Sequence, residues 1–308
     1  MEKRRLGRTG LRVSVLGFGG SEIGYEGASQ ATVDRLLGSA LEAGLNVVDT
    51  AECYDKSEEL IGAALGARRD QCLIFTKCGH AGGWSRADWR VAPLLASIER
   101  SLKRLRTDHV DLIQLHSCGL DVLKRGDAIK ALETARDRGL ARFIGYSGDG
   151  AAARYAIECG AFDTLQTSLN VAEQEPLTLT LPLAVERDMG VIAKRPIANA
   201  AWVGARRPSR GAYGYEYWRR LQELGYEYSR RLQKLDYDFM KRRDAVATAL
   251  RFTLSVPGVH TAIVGTARPG RFEENARYLE AGKLPAADMK AIGARWSEVA
   301  DRSWVGQT

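Results

Sequence analysis

Two textures alternate along the chain. One is a short run apolar on successive positions, as in Leu45-Asn46-Val47-Val48 and Ala141-Arg142-Phe143-Ile144. Parallel strands covered by helices on both faces read this way. The other repeats every three to four residues, as at Val33, Leu36, Leu37, Ala40 and Leu41, or Leu94, Leu95, Ile98 and Leu102. A helix burying one face needs that spacing. A recurring phrase joins the two textures: a helical stretch ends at Gly44, Gly139, Gly160 or Gly190, and an apolar strand follows at once. Glycine takes the left-handed turn at a helix end without steric cost, so each is predicted to stop its helix that way.

Strands are predicted near 13–17, 46–50, 72–77, 110–115, 141–146, 163–168, 190–194 and 261–265. Eight alternating units favour a closed (β/α)8 barrel of the TIM type over an open sheet. The segment from Arg5 to Leu11 has the turn residues of an N-terminal hairpin able to plug the barrel floor. Between the seventh and eighth strands lie roughly 65 residues, more than one crossover helix needs. This insertion carries Trp218, Leu221, Leu224, Tyr228, Leu232 and Leu235 at helical spacing, with Tyr213, Tyr215, Tyr217, Tyr226 and Tyr237 around them. It reads as an extra surface helix, as a lid over the barrel mouth, or as both. Met289, Ile292, Trp296 and Val299 predict a docked helix in the tail. Residues 1–308 are expected to form one barrel domain.

Composition removes several function classes. The 45% hydrophobic and 27% charged content is that of a globular chain. No apolar run is long enough for a membrane span, and Met1-Glu2-Lys3-Arg4-Arg5 leads into no signal-type core. A cytoplasmic location and a monomer or weak homo-oligomer are the expectations. The net charge of +7 is spread along the chain rather than gathered in a basic tail, which argues against nucleic acid as partner. The five cysteines have no C-x-x-C spacing and read as reduced thiols.

In such a barrel the reactive groups stand at the C-terminal ends of strands. Asp49 ends the second strand and Tyr54 follows it; Lys77 ends the third and His116 the fourth. A carbonyl that accepts a hydride needs a proton. A Tyr hydroxyl, with a free pKa of about 10, supplies one more readily when an ammonium lies nearby. A carboxylate holds that ammonium, and a His orients the carbonyl.

The phrases Asp49-Thr50-Ala51-Glu52-Cys53-Tyr54, Phe75-Thr76-Lys77 and Asp111-Leu112-Ile113-Gln114-Leu115-His116 resemble the active-site strands of the aldo-keto reductase family. The resemblance implies a catalytic tetrad with Tyr54 as general acid, Lys77 and Asp49 tuning it, and His116 orienting a small carbonyl substrate. It also implies NADPH/NADP+ as cofactor. Gly19 and Gly20 match the short loop after the first strand. Ser147 and Gln166 match residues that hold the nicotinamide carboxamide. Thr266 and Arg271 match the 2′-phosphate grip, and Glu274 and Asn275 the adenine contacts. Gly148 stands where the family has Asn, with Asn170 as a candidate substitute. Gly265 stands where many members have Lys, with Arg268 able to compensate. Lys194 and Arg195 read either as pyrophosphate contacts or as strand-end charges.

Cys53, Cys78 and Cys118 lie near the tetrad in sequence. They read either as gap-filling thiols or as a cluster in which Lys77 favours a thiolate. No ligand spacing supports a metal. Two other functions fit the barrel: a redox-sensing regulatory protein that keeps the cofactor, and an aldolase using Lys77 as a Schiff-base amine. The substrate class is not written in the loops. Trp84, Trp89 and Tyr213 are candidate pocket residues suited to aromatic or medium-sized apolar carbonyls, while Arg206, Arg207 and Arg210 leave acidic or sugar-like ones open.

Overall fold

A computed structural model describes residues 1–83, 86–201 and 226–306. Eight parallel strands close into a barrel: β3 (Leu16–Gly19), β4 (Val47–Asp49), β5 (Leu73–Cys78), β6 (Val110–His116), β7 (Ala141–Ser147), β8 (Thr164–Ser168), β9 (Gly190–Lys194) and β10 (Thr261–Gly265). Closure comes from β10 against β3, with Gly265 opposite Gly19. Around the barrel run α1 (Ser21–Tyr25), α2 (Gln30–Glu42), α3 (Ser57–Leu65), α4 (Val91–Leu105), α5 (Leu120–Arg125), α6 (Asp127–Asp137), α7 (Gly150–Glu158), α8 (Pro176–Leu179) and α9 (Leu181–Glu186). They are followed by helical residues 226–235 (α10), α11 (Ala245–Ser255), α12 (Arg271–Tyr278) and α13 (Ala286–Val299). The apolar stripes are buried as their spacing requires: Val33, Leu36, Leu37 and Ala40 in α2, and Leu94, Ile98 and Leu102 in α4. Among the described residues no helix is long and apolar enough to cross a membrane.

The first expected strand, 13–17, is two strands. β2 (Arg12–Ser14) pairs antiparallel with β1 (Lys3–Arg5), and only after Val15 does the chain join the barrel as β3. Asn46 enforces the break: its Oδ1 accepts from Ser14 N at 2.6 Å, and its Nδ2 donates to Arg12 O at 2.7 Å. The hairpin formed by β1 and β2 closes the floor. Its Leu6, Leu11 and Val13 are buried against Val47, Phe75, Leu112, Ile192 and Ile263 of the barrel interior.

The recurring glycines divide. Gly44, Gly139 and Gly160 have φ of 90°, 73° and 76°, the left-handed turn expected at a helix end. Gly190 does not; Asp188, at φ 48°, makes that turn instead. Gly190 is small because Leu6 lies beneath it, 2.8 Å from where a Cβ would stand.

The described part of the insertion lies on the barrel. Tyr228, Leu232 and Leu235 of α10 share a second core with Val171, Ala172, Phe252, Ile292 and Trp304. This joins α10 to the residues that follow β8, on the rim where β8 ends. Arg231, wholly buried, donates to Ala172 O and Val305 O and pairs with Glu227 at 2.8 Å. Trp218, Leu221, Leu224, Tyr213, Tyr215 and Tyr217 lie outside the described residues, as does Trp84.

Candidate active site

The strand ends bring Asp49, Lys77, His116 and Tyr54 onto one rim. Asp49 closes β4, Lys77 is the penultimate residue of β5, His116 closes β6, and Tyr54 sits in the turn after β4. All four are buried. Lys77 Nζ lies 2.5 Å from Asp49 Oδ1 and donates to Thr50 O at 2.9 Å. The same ammonium is 5.4 Å from the centre of the Tyr54 ring, which stands edge-on to His116 at 5.7 Å.

Residues not singled out in the sequence hold this group in place. Glu52 is buried, and its Oε1 accepts from the backbone N–H groups of Gly79 and His80 at 2.6 and 2.7 Å. The Ser97 hydroxyl bonds its other oxygen. A carboxylate spent on two backbone donors fixes the turn after β5, just beyond Lys77. His80 in that turn lies 2.7 Å through Nε2 from His116 O, and Trp89 stacks edge-on against it at 5.3 Å. Trp89 thus reaches the rim by lying over Gly79, where a Cβ would meet its ring at 2.0 Å.

The rim continues through β7 to β10. Ser147 ends β7, opposite Gln166 of β8. Gln166 donates to Asp49 Oδ1 at 3.3 Å and accepts from Gln114 at 3.1 Å. Gly148 has a steric cause: a Cβ there would lie 2.3 Å from Tyr146 Oη, which donates to Cys118 O at 2.7 Å. Asn170 is fully buried, and its Oδ1 accepts from Ala172 N, while Nδ2 has no partner among the described residues. Lys194, ending β9, pairs with the buried Asp149 at 2.9 Å, and Arg195 donates to Ser168 Oγ at 3.0 Å. Burial lowers the Lys194 pKa despite that carboxylate; burial would raise Asp149, yet Lys194 and Arg195 hold it low.

After β10, Thr266 Oγ1 accepts from Arg268 N at 3.0 Å. Arg271, the first residue of α12, pairs with Glu274 at 2.6 Å, and Tyr278 donates to the same carboxylate. Asn275 is buried with Oδ1 unpartnered among the described residues. Gly19 and Gly265 face each other at the ends of β3 and β10, and a Cβ on Gly19 would lie 3.1 Å from Gly265 N. The missing side chains let these two strand ends lie close together, and the unpartnered Asn170 amide suits a carboxamide oxygen.

Of the two readings of the rim cysteines, gap filling fits their burial. Burial pushes Cys53 far up, Glu52 adds to this, and Lys77 offsets only part of it. Cys118 rises to about 12 by burial, and Cys78 is driven well up by the same cause. Among the described residues no group of three His, Cys, Asp or Glu side chains is placed to hold a metal.

Comparison with known proteins shows the family to which this barrel belongs. A relative from Bacillus subtilis, the uncharacterized oxidoreductase YqkF, is 26% identical over 307 residues, 95% of each chain. D-threo-aldose 1-dehydrogenase of a Pseudomonas species is 28% identical over 331 aligned positions, covering 95% of this chain and 94% of that one. An aldo-keto reductase from Bacillus halodurans, solved in a holo form, superposes with a TM-score of 0.78 at 26% identity over 96% of both chains. The sequence profile of the aldo/keto reductase family matches residues 15–296, and the chain belongs to that family of oxidoreductases.

Proposed function

We propose that the protein interconverts a carbonyl compound and its alcohol with NADPH/NADP+, using Tyr54 as the proton donor. The buried Lys77–Asp49 pair beside the Tyr54 ring carries this reading. The dinucleotide, when bound, supplies or receives the hydride. Tyr54 protonates the carbonyl oxygen, or takes the alcohol proton in the reverse direction. Lys77 favours the phenolate left behind, because an opposite charge close to a titrating group favours its ionised form. Asp49 keeps the ammonium in place, and His116 donates to the substrate oxygen.

Ser147, Gln166 and Asn170 would hold the carboxamide, Lys194 and Arg195 the pyrophosphate, and Gly19 and Gly20 would let it approach. Thr266, Arg268 and Arg271 would take the ribose phosphate, with Glu274 and Asn275 toward the adenine. Trp89 is the candidate substrate contact within the described residues. The name of the Pseudomonas relative adds aldoses to the aldehydes and ketones worth trying.

The test is NADPH consumption with aromatic, aliphatic and sugar carbonyls, and NADP+ reduction with the matching alcohols and aldoses. Turnover that Tyr54→Phe lowers by at least about a hundredfold, with cofactor binding intact, is expected. Bound but unreacted cofactor across the panel would shift the reading to a regulatory protein. Borohydride trapping of a substrate on Lys77 would overturn it in favour of an aldolase.

A further inference from the structure

The seam between β3 and β10 holds an acid that the proposed chemistry does not use. Gly265 lacks a side chain, and the space a Cβ would take is filled by the carboxyl of Glu22, with Oε2 1.6 Å and Cδ 2.3 Å from that position. Glu22 lies in α1, directly after the Gly19-Gly20-Ser21 turn, and is half-buried. The Ser21 hydroxyl donates to Oε2 at 2.5 Å. No Lys or Arg among the described residues forms an ion pair with it. Burial raises its pKa. An acid in this position is poorly solvated, has no cation, and retains acceptor capacity facing the start of the 265–271 loop.

We infer that Glu22 limits how strongly the site can favour a phosphorylated dinucleotide. Its carboxylate accepts hydroxyls of an unphosphorylated ribose and repels the added phosphate of a phosphorylated one. The inference rests on the proposal that the loop from Gly265 to Arg271 receives the adenosine ribose. On that loop two opposed elements act on one ligand group. Arg271, together with the donors of Thr266 and Arg268, draws a phosphate dianion in, while Glu22 on α1 pushes it away. Arg271 is itself partly neutralised by Glu274. The balance gives a protein that binds both NADPH and NADH, and two single substitutions that move the preference in opposite directions.

The experiment is a titration of the full chain with NADPH and with NADH, followed by quenching of tryptophan fluorescence at fixed pH and ionic strength. Wild type, Glu22→Gln and Arg271→Ala are compared. Glu22→Gln keeps the shape and an acceptor but removes the charge. It is expected to tighten NADPH by about tenfold, the scale of one close and partly screened charge–charge contact. NADH affinity stays nearly unchanged, because the amide oxygen still accepts. Arg271→Ala is expected to move the ratio the other way. Glu22→Ala provides a second charge-removing variant if the glutamine chain fails to fold. Binding of both dinucleotides at a ratio that neither Glu22 variant changes overturns the inference alone. Binding of neither to the wild type overturns the cofactor proposal, and the inference with it.

Discussion

The Cys53 thiol lies 3.5 Å from Nδ1 of His116. Burial favours the protonated thiol, and a thiol that donates to Nδ1 selects the ring tautomer with its proton on Nε2. That tautomer is the one whose Nε2 can donate to a substrate oxygen, as proposed for His116. Cys53→Ala should lower kcat roughly three- to tenfold, the worth of about 1 kcal/mol for one neutral hydrogen bond. Cys53→Ser, which restores a donor, should recover most of the loss. Steady-state kinetics over a range of pH checks both, and equal rates in the two variants would show that the thiol does not set the tautomer.

Asp49 and Lys77 are a buried pair, and breaking one side strands the other. Asp49→Ala should cost about 3–5 kcal/mol of stability in urea unfolding. The double variant Asp49→Ala/Lys77→Met should regain much of that stability while staying inactive. Recovery of activity along with stability would mean that the pair is structural and not part of the chemistry.

Lys194 gives a pH dependence with a definite sign. Burial lowers its pKa from the ordinary 10.5 to about 8, so in the window between these values the unliganded protein holds it largely neutral. A pyrophosphate favours the charged form, so binding there takes up a proton. Dinucleotide affinity should therefore fall as pH rises through that window. Lys194→Met should bind more weakly and show a flatter profile. A wild-type affinity independent of pH up to 10 would remove Lys194 from the pyrophosphate site.

The thiols should separate cleanly under a disulfide reagent at pH 8. Cys159 is the exposed one. Cys72, pushed up to about 11 by burial, and the three thiols near the rim are buried. One fast equivalent is expected, lost in Cys159→Ser, with the other four reacting only on unfolding. A second fast thiol protected by NADPH would reopen the case for redox sensitivity near Tyr54.

What was legible in the sequence and what was not follow from the same physics. Strand-end residues such as Asp49, Lys77 and His116 can be read because a barrel fixes where each strand end goes, and doubly buried strands leave apolar runs. The split at Val15 was not legible, since it lies in which strands residues 12–14 and 16–19 pair with. Gly190 was misread as a helix stop because its smallness answers to Leu6, far away in the chain. The cause of Gly148 lies in the position of the Tyr146 ring, and the roles of Glu52 and Glu22 lie in contacts between separate turns. None of these leaves a local pattern.

The hairpin that plugs the floor also constrains the order in which the molecule can be completed. Leu6 and Leu11 leave the ribosome well before Ile192 and Ile263, which cover them. Arg4 anchors to Leu254 O, 250 residues on. Until then β3 is an open strand edge beside an uncovered apolar hairpin, a combination that invites pairing with other chains. The nascent protein therefore carries an uncovered apolar surface until β9 and β10 have been made, and holding that surface apart is the demand this architecture places on the cell.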